Sequence, residues 1–361
     1  MGGRDRAGDR GLGDRRDVRG AQHPLSSAAS GRPADATAPA PQGPSLPRSA
    51  GGRPFVPIGA VLVVGVAVVS TAPTLIRLVG DPPNGVPALA IAAWRLGLAA
   101  LLLLPVSAAT GGLAPTGLRG WTNRDLTIAA ASGSLLALHF AAWISSLALT
   151  TVASSVTLVT TTPIWVAVGG FLLLGERPSR RAVAGILVTT VGAAALALTD
   201  ASGGVVAHTT PELLLGDLLA LLGAIAGSGY LLCGRALRAR RPLGEYVQSV
   251  YAVAAIVLLA TALLSGTPLL GHPPLAYLLL LVLALGPQLV GHTSFNWALR
   301  YLAPSTVAAV ILAEPVGSTI LAAIVLGEAI TPLKGVAASI LLTGIYVVAR
   351  AQGRRAATLA G

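Results

Sequence analysis

The chain has 361 residues, of which 53% are hydrophobic and only 11% are charged. Soluble proteins carry about 25% charged residues, so this composition excludes an ordinary soluble domain and indicates a polytopic membrane protein. A formal net charge of +11 could suggest a nucleic-acid partner. The basic residues, however, lie in the N-terminal tail and at the ends of apolar runs, so we expect no nucleic acid and instead a lipid bilayer.

Several classes of protein lack support in the sequence. The single cysteine, Cys233, excludes an internal disulfide and a cysteine metal cluster. The chain contains no Gly-Lys-Ser/Thr phosphate loop, no His-Glu-x-x-His and no Gly-x-Ser-x-Gly, so neither ATP hydrolysis nor the common hydrolase chemistries are expected. We predict that the protein is not an enzyme and uses neither a metal nor a cofactor.

The first 54 residues are rich in Arg, Asp, Gly and Pro and contain no apolar run. This composition predicts a disordered cytoplasmic tail. A shorter cytoplasmic tail is expected at 351–361. Between the two tails we count ten apolar spans near the 20 residues that a membrane helix needs. They cover 56–78, 86–106, 126–149, 152–174, 181–199, 213–233, 244–264, 275–297, 305–327 and 332–350.

The basic residues also indicate the orientation in the membrane. Most of the 25 Lys and Arg fall in the N-terminal tail, in alternate loops and at the C-terminus, whereas the loops 200–212 and 265–274 contain none. Cytoplasmic loops carry the excess of Lys and Arg, so both termini are predicted to be cytoplasmic.

The spans contain an internal duplication at a fixed offset of 152 residues. Pro163 corresponds to Pro315, and each proline interrupts an apolar span. Because each unit has an odd number of spans, the second unit must enter the membrane from the opposite side. We therefore predict an all-α polytopic membrane protein of ten transmembrane helices, arranged as two inverted five-helix repeats at 55–200 and 213–350. The same offset relates Gly175-Glu176 to Gly327-Glu328 and Gly192 to Gly344.

Glu314 directly precedes Pro315 in the middle of the ninth span, and its counterpart in the first repeat is Thr162. Charged groups inside a membrane are costly, and they usually serve function. Glu314 is therefore a candidate for binding a proton or another cation. The alternatives are that it caps backbone groups freed by the proline or forms a fixed ion pair.

Arg95 lies near the middle of the second span and is the natural charge partner of Glu314. It could hold a substrate carboxylate through two hydrogen bonds. It could equally serve as a fixed counter-ion or extend towards the membrane interface.

In the eighth span, Gln288, His292 and Asn296 recur every four residues, which would place them on one face of an α-helix. This polar stripe predicts the lining of an internal cavity, and hydrogen bonding between helices is the alternative.

The remaining candidates are aromatic or lie at helix ends. His139 and Trp143 share a face of the third span, and Tyr230 lies in the sixth. These side chains could line the pathway or simply pack. The repeated Gly-Glu pair is interpreted as a helix end, without chemistry.

The segment from Gly286 to Leu302, followed by Ala303-Pro304-Ser305, resembles the EamA-type family of the drug/metabolite transporter superfamily, as do Pro163, Ala313-Glu314-Pro315 and the repeated Gly-Glu. The resemblance covers roughly residues 55–350. It implies a secondary carrier of the bacterial inner membrane, commonly an exporter of amino acids or related metabolites.

We therefore expect a proton-coupled exporter of a small-molecule substrate that works by alternating access. Three alternatives remain open: an exchanger of phosphorylated or nucleotide-linked sugars, an integral-membrane enzyme acting on lipid, and a sensor that does not transport. The sequence does not specify the substrate or the oligomeric state.

Overall fold

The computed structural model describes residues 56–109, 120–150, 152–200, 211–326 and 330–358, and every regular element within these ranges is helical. The predicted all-α fold of ten spans is confirmed. Among the described residues, nine segments are long and apolar enough to cross a membrane, and a further 21-residue helix, Arg180–Asp200, lies at the position of the expected fifth span. The predicted tail at 1–54 and the pair Gly327-Glu328 lie outside the described residues.

We number the ten segments α1 to α10, and four of them are interrupted. The bounds are α1 (Ile58–Val69 and Ala72–Gly80), α2 (Ala88–Ala109), α3 (Asn123–Leu149), α4 (Val152–Val159 and Thr162–Leu174), α5 (Arg180–Asp200), α6 (Pro211–Arg238), α7 (Leu243–Leu264), α8 (Pro274–Leu283, Ala284–His292 and Thr293–Ala298), α9 (Pro304–Ile311 and Glu314–Leu326) and α10 (Pro332–Thr358). Helix α10 thus continues beyond the predicted end at 350.

The interruptions in α4 and α9 lie at the two prolines that mark the repeat. Pro163 has no N–H to donate to the carbonyl four residues earlier, that of Val159. The hydroxyl of Thr162 donates to this carbonyl instead, at 2.7 Å. In α9 the residue before the proline is Glu314, so the two repeats share a break but differ in the side chain beside it.

Two further interruptions were not predicted. Helix α1 breaks at Ser70 and Thr71, where Pro73 stands in the first turn of the second half. The hydroxyl of Thr71 donates to the carbonyl of Val68 at 2.8 Å, which compensates part of the broken helix. In α8 the middle part, Ala284–His292, is a π-helix with Pro287 inside it.

The helix pairing follows the duplication. Helix α3 packs on α6. The repeat relates α3 to α8 and α6 to α1, and α8 likewise packs on α1. Helices α2 and α7 form one pair of equivalent helices, and α5 and α10 form another. Each contact therefore recurs when the repeats are exchanged, as expected for two inverted repeats that share one core.

The repeated glycines lie where α5 meets α10. A Cβ atom on Gly192 would lie 2.4 Å from the backbone nitrogen of Leu341, and one on Gly344 would lie 2.4 Å from that of Thr189. Leu341 and Thr189 are themselves separated by the offset of 152. The two glycines therefore allow a symmetric close contact between the last helices of the two repeats.

The Gly-Glu pair of the first repeat ends α4. Gly175 has a φ of 66°, a conformation that favours glycine. The N–H of Glu176 donates to the carbonyl of Gly170 at 2.9 Å, and the Glu176 carboxylate pairs with Arg235 at 3.5 Å. In the first repeat the pair thus forms a helix end anchored to α6.

Candidate functional site

The centre of the bundle contains a buried arginine held by two other helices. Arg95 of α2 is only 1% exposed. Its Nε donates to Oε1 of Gln288 in α8 at 2.8 Å, and its guanidinium carbon lies 4.3 Å from the ring centroid of Phe140 in α3. The ring face attracts the cation, and the amide fixes its orientation.

Two donors of this pair have no partner within the described part of the chain. They are Nη2 of Arg95 and Nε2 of Gln288, and both are buried. A buried donor without an acceptor costs about 1–3 kcal/mol. The pair therefore has capacity for an acceptor such as a carboxylate once the helices move to admit one.

Glu314 begins the second half of α9 and is half-buried. In the described part of the protein its carboxyl group forms no hydrogen bond, and no cation lies within 4.0 Å of it. Arg95 is near enough to interact with it electrostatically. The direct ion pair considered from the sequence is therefore not formed in this structure, and Arg95 instead contacts Gln288 and Phe140.

The polar residues of α8 that share the four-residue spacing differ in their burial and contacts. The π-helical turn changes the angle between Gln288 and His292, since a π-helix has more residues per turn than an α-helix. Gln288 is completely buried beside Arg95. His292 is half-buried and lies edge-on to the rings of Phe140 at 5.4 Å and Phe295 at 6.1 Å.

Asn296 is completely buried and joins three helices by hydrogen bonds. Its Oδ1 accepts from the hydroxyl of Tyr230 in α6 at 2.7 Å, and its Nδ2 donates to the hydroxyl of Tyr251 in α7 at 3.3 Å. The Tyr251 hydroxyl also lies 3.2 Å from the Thr293 hydroxyl. Asn296 thus forms interhelical hydrogen bonds of the kind considered as the alternative for the polar residues of α8, and Tyr230 is one of its partners.

His139 and Trp143 form an aromatic pair on α3. Their rings are stacked, with centroids 6.1 Å apart and an interplanar angle of 16°. Nδ1 of His139 donates to the carbonyl of Gly223 in α6 at 2.8 Å, which leaves Nε2 as the acceptor in the neutral ring. The buried Nε1 of Trp143 has no partner among the described residues.

One end of the bundle, where α3 begins, is closed by charged groups. Thr122 and Asp125 form a capping box at the start of α3. Asp125 is 2% exposed and pairs with Arg241 at 2.6 Å and Arg240 at 3.1 Å. Arg238, also buried, donates through Nε to the carbonyl of Asn296 at 3.2 Å. The polar core and the closed end are therefore joined through one arginine.

Sequence reasoning found Arg95, Gln288 and Glu314 because they are polar groups inside apolar spans. It did not identify Phe140, whose ring contacts the Arg95 guanidinium. It also did not identify Ser70, whose hydroxyl donates to the Glu314 carbonyl at 3.2 Å. The phenylalanine gives no signal in an apolar span. A Ser-Thr pair shortly before Pro73 is the signal that could have indicated Ser70.

Ten apolar helices in two related halves, with buried polar and charged residues between them, define a multi-pass membrane transporter. The sequence profile of the EamA-like transporter family matches residues 57–198 and again 214–350. The chain therefore belongs to the EamA-like transporter family.

No curated protein matches the sequence. Among solved structures, one titled "Crystal structure of protein" superposes with a TM-score of 0.67 at 18% sequence identity. The match covers 81% of this chain and 96% of the other. At this identity the likeness shows a shared fold.

Proposed function

We propose that the protein is a proton-coupled exporter of small metabolites, such as amino acids or related compounds, that works by alternating access. It would lie in the bacterial inner membrane with both termini cytoplasmic. The observation that carries the proposal is the separation of opposite charges in the core. Arg95 and Gln288 retain two buried donors without partners, while the Glu314 carboxyl has neither a hydrogen bond nor an ion pair among the described residues.

This arrangement suits a solute that carries both a carboxylate and an amino group. The carboxylate would accept from Nη2 of Arg95 and Nε2 of Gln288. Glu314 would exchange a proton as the solute binds and leaves, because a charged carboxylate is costly in this environment unless it is paired. The solute and the proton would then favour different conformational states of the carrier.

A phosphorylated or nucleotide-linked sugar fits this site less well. Such a solute carries two or more negative charges. The described part of the core offers it the positive charge of Arg95, but the Glu314 carboxylate is near enough to Arg95 to repel an anionic solute bound there. The second buried arginine, Arg238, is occupied by the carbonyls of Asn296 and Arg241.

The test uses purified protein in proteoliposomes that contain a pH-sensitive dye. Pools of amino acids and related metabolites are added, and solute-dependent proton movement is recorded for the wild type and for Glu314→Gln. Glu245→Gln is the matched control, because Glu245 accepts a hydrogen bond from Trp121 at a helix end and not in the core. We expect proton movement in the wild type and the control and none in Glu314→Gln. Unchanged proton movement in Glu314→Gln would refute the assigned role.

A further inference from the structure

The interrupted helices meet each other at their breaks. Ser70, at the break of α1, is 3% exposed, and its hydroxyl lies 2.8 Å from the carbonyl oxygen of Val66 and 3.2 Å from that of Glu314 in α9. A serine hydroxyl has one proton, which these two acceptors share. The bond to the carbonyl four residues earlier bends α1, and the bond to Glu314 fixes the start of the second half of α9.

The other repeat contains a similar joint, although its serine lies six residues beyond the position that the repeat offset gives for Ser70 and in an uninterrupted helix. Ser228 of α6 is 2% exposed, and its hydroxyl lies 2.7 Å from the carbonyl oxygen of Ala224 and 3.0 Å from that of Thr162 in α4. Thr162 and Glu314 are separated by the repeat offset, and each directly precedes its proline. The first helix of each repeat therefore provides a serine that holds the residue before the proline in the opposite repeat.

The joint at Glu314 has two additional constraints. Ser318, one turn further along α9, donates through its hydroxyl to the carbonyl of Ser70 at 3.0 Å. A Cβ atom on Gly317 would lie 2.1 Å from Oγ of Ser70, so the close approach of the two helices requires glycine there. The first turn of the second half of α9 is thus held against α1 by two hydrogen bonds and one close contact.

We propose that Ser70 is a positioning residue for Glu314 and that the joint it forms sets where the carboxyl group stands relative to the central site. Ser228 forms the equivalent joint at Thr162, which has no ionisable side chain, and therefore maintains the fold without affecting a carboxyl group. This inference rests on the proposed role of Glu314 in proton exchange. Arg95 is the charged group that interacts with Glu314 across the site.

Ser70→Ala and Ser228→Ala form a matched pair, since each removes one hydroxyl that bonds the same two kinds of carbonyl. The first measurement is the infrared difference spectrum of lipid-reconstituted protein between acidic and alkaline pH. The band of the Glu314 carboxyl is identified by its loss in Glu314→Gln. We expect Ser70→Ala to shift this band and Ser228→Ala to leave it in place. Equal effects of the two substitutions, or no effect of Ser70→Ala, would overturn the proposal.

The second measurement separates this inference from the proposed function. In proteoliposomes, Ser70→Ala should lower the proton flux relative to the solute flux by up to about tenfold, the scale of one lost hydrogen bond. Ser228→Ala should leave that ratio as in the wild type, and a fall in both variants would contradict the assignment. If the wild type moves no solute, the proposed function fails, and the infrared comparison still decides the role of Ser70.

A milder variant guards against misfolding of Ser70→Ala. Ser318→Ala removes only the bond that returns to the carbonyl of Ser70. We expect a smaller shift of the same band in the same direction. A band identical to that of the wild type would count against the joint as the determinant of the carboxyl position.

Discussion

Gly344 of α10 approaches Thr189 of α5 so closely that a Cβ atom on the glycine would lie 2.3 Å from Oγ1 and 2.4 Å from the backbone nitrogen of Thr189. Real Cβ atoms do not approach backbone atoms this closely, so a side chain here must separate the two helices. The contact has a symmetric counterpart at Gly192. The junction of the two repeats therefore depends on glycine.

Gly344→Ala should destabilise the protein, because overpacking of this kind costs about 1–3 kcal/mol or more. We expect the melting temperature in detergent to fall by about 5 °C or more. Gly335→Ala is the control on the same helix, since a Cβ atom there meets nothing within 4 Å. Alanine favours a helix over glycine by about 1 kcal/mol, so this control should be neutral or slightly stabilised. A control that loses as much stability as Gly344→Ala would refute the packing argument.

Arg95→Lys should impair solute binding although it keeps the positive charge. Lysine has no planar fork, so it cannot donate to Gln288, lie on the ring of Phe140 and still present a further donor. We expect the apparent KM for the transported solute to rise by about tenfold or more. Arg124→Lys, on the exposed start of α3, is the control and should behave as the wild type. Wild-type kinetics in Arg95→Lys would show that the charge alone suffices.

Asn296→Leu should cost more stability than Tyr230→Phe. The first substitution removes two hydrogen bonds and leaves the buried hydroxyl of Tyr230 without its acceptor, whereas the second removes one hydrogen bond and leaves Oδ1 of Asn296 without its donor. Each unsatisfied group costs about 1–3 kcal/mol. The double variant should lose less stability than the sum of the losses in the two single variants. Thermal unfolding of the four proteins tests this cycle, and strict additivity would contradict the proposed coupling.

Asp125→Asn should loosen the end of the bundle where α3 begins. The substitution removes the charge that pairs with Arg240 and Arg241, and breaking a buried pair by removing one partner is strongly destabilising. Cys233, the single cysteine, lies on α6 near this end and serves as a native reporter. We expect maleimide to label Cys233 several-fold faster in Asp125→Asn. Arg124→Gln is the exposed control, and equal labelling rates in both variants would argue against a closing role for Asp125.

The ten helices could be predicted because each is a continuous apolar run that can be read without knowing its neighbours. The duplication could be predicted because several residue pairs share one offset. It also placed breaks at Pro163 and Pro315, since a proline removes a backbone donor wherever it stands. The break at Ser70 and the π-helical turn before His292 were missed although Pro73 and Pro287 lie at these two places. Neither proline has a counterpart at the repeat offset, so the duplication did not indicate them.

The partners of the candidate residues were harder to predict. Arg95 and Gln288 are 193 residues apart, and periodicity assigns a residue to a helix face without naming the helix opposite. The sequence therefore suggested Glu314 as the partner of Arg95 on grounds of charge, whereas the structure places an amide there.

The most direct test of the account is the dependence of solute accumulation on an imposed pH gradient in proteoliposomes with the membrane potential clamped. If each transport cycle moves one proton, the equilibrium ratio of inside to outside solute should change by about tenfold per pH unit. In Glu314→Gln the ratio should stay near unity at every gradient. A wild-type ratio that does not respond to the gradient would contradict proton coupling, and a full response in Glu314→Gln would remove Glu314 from it.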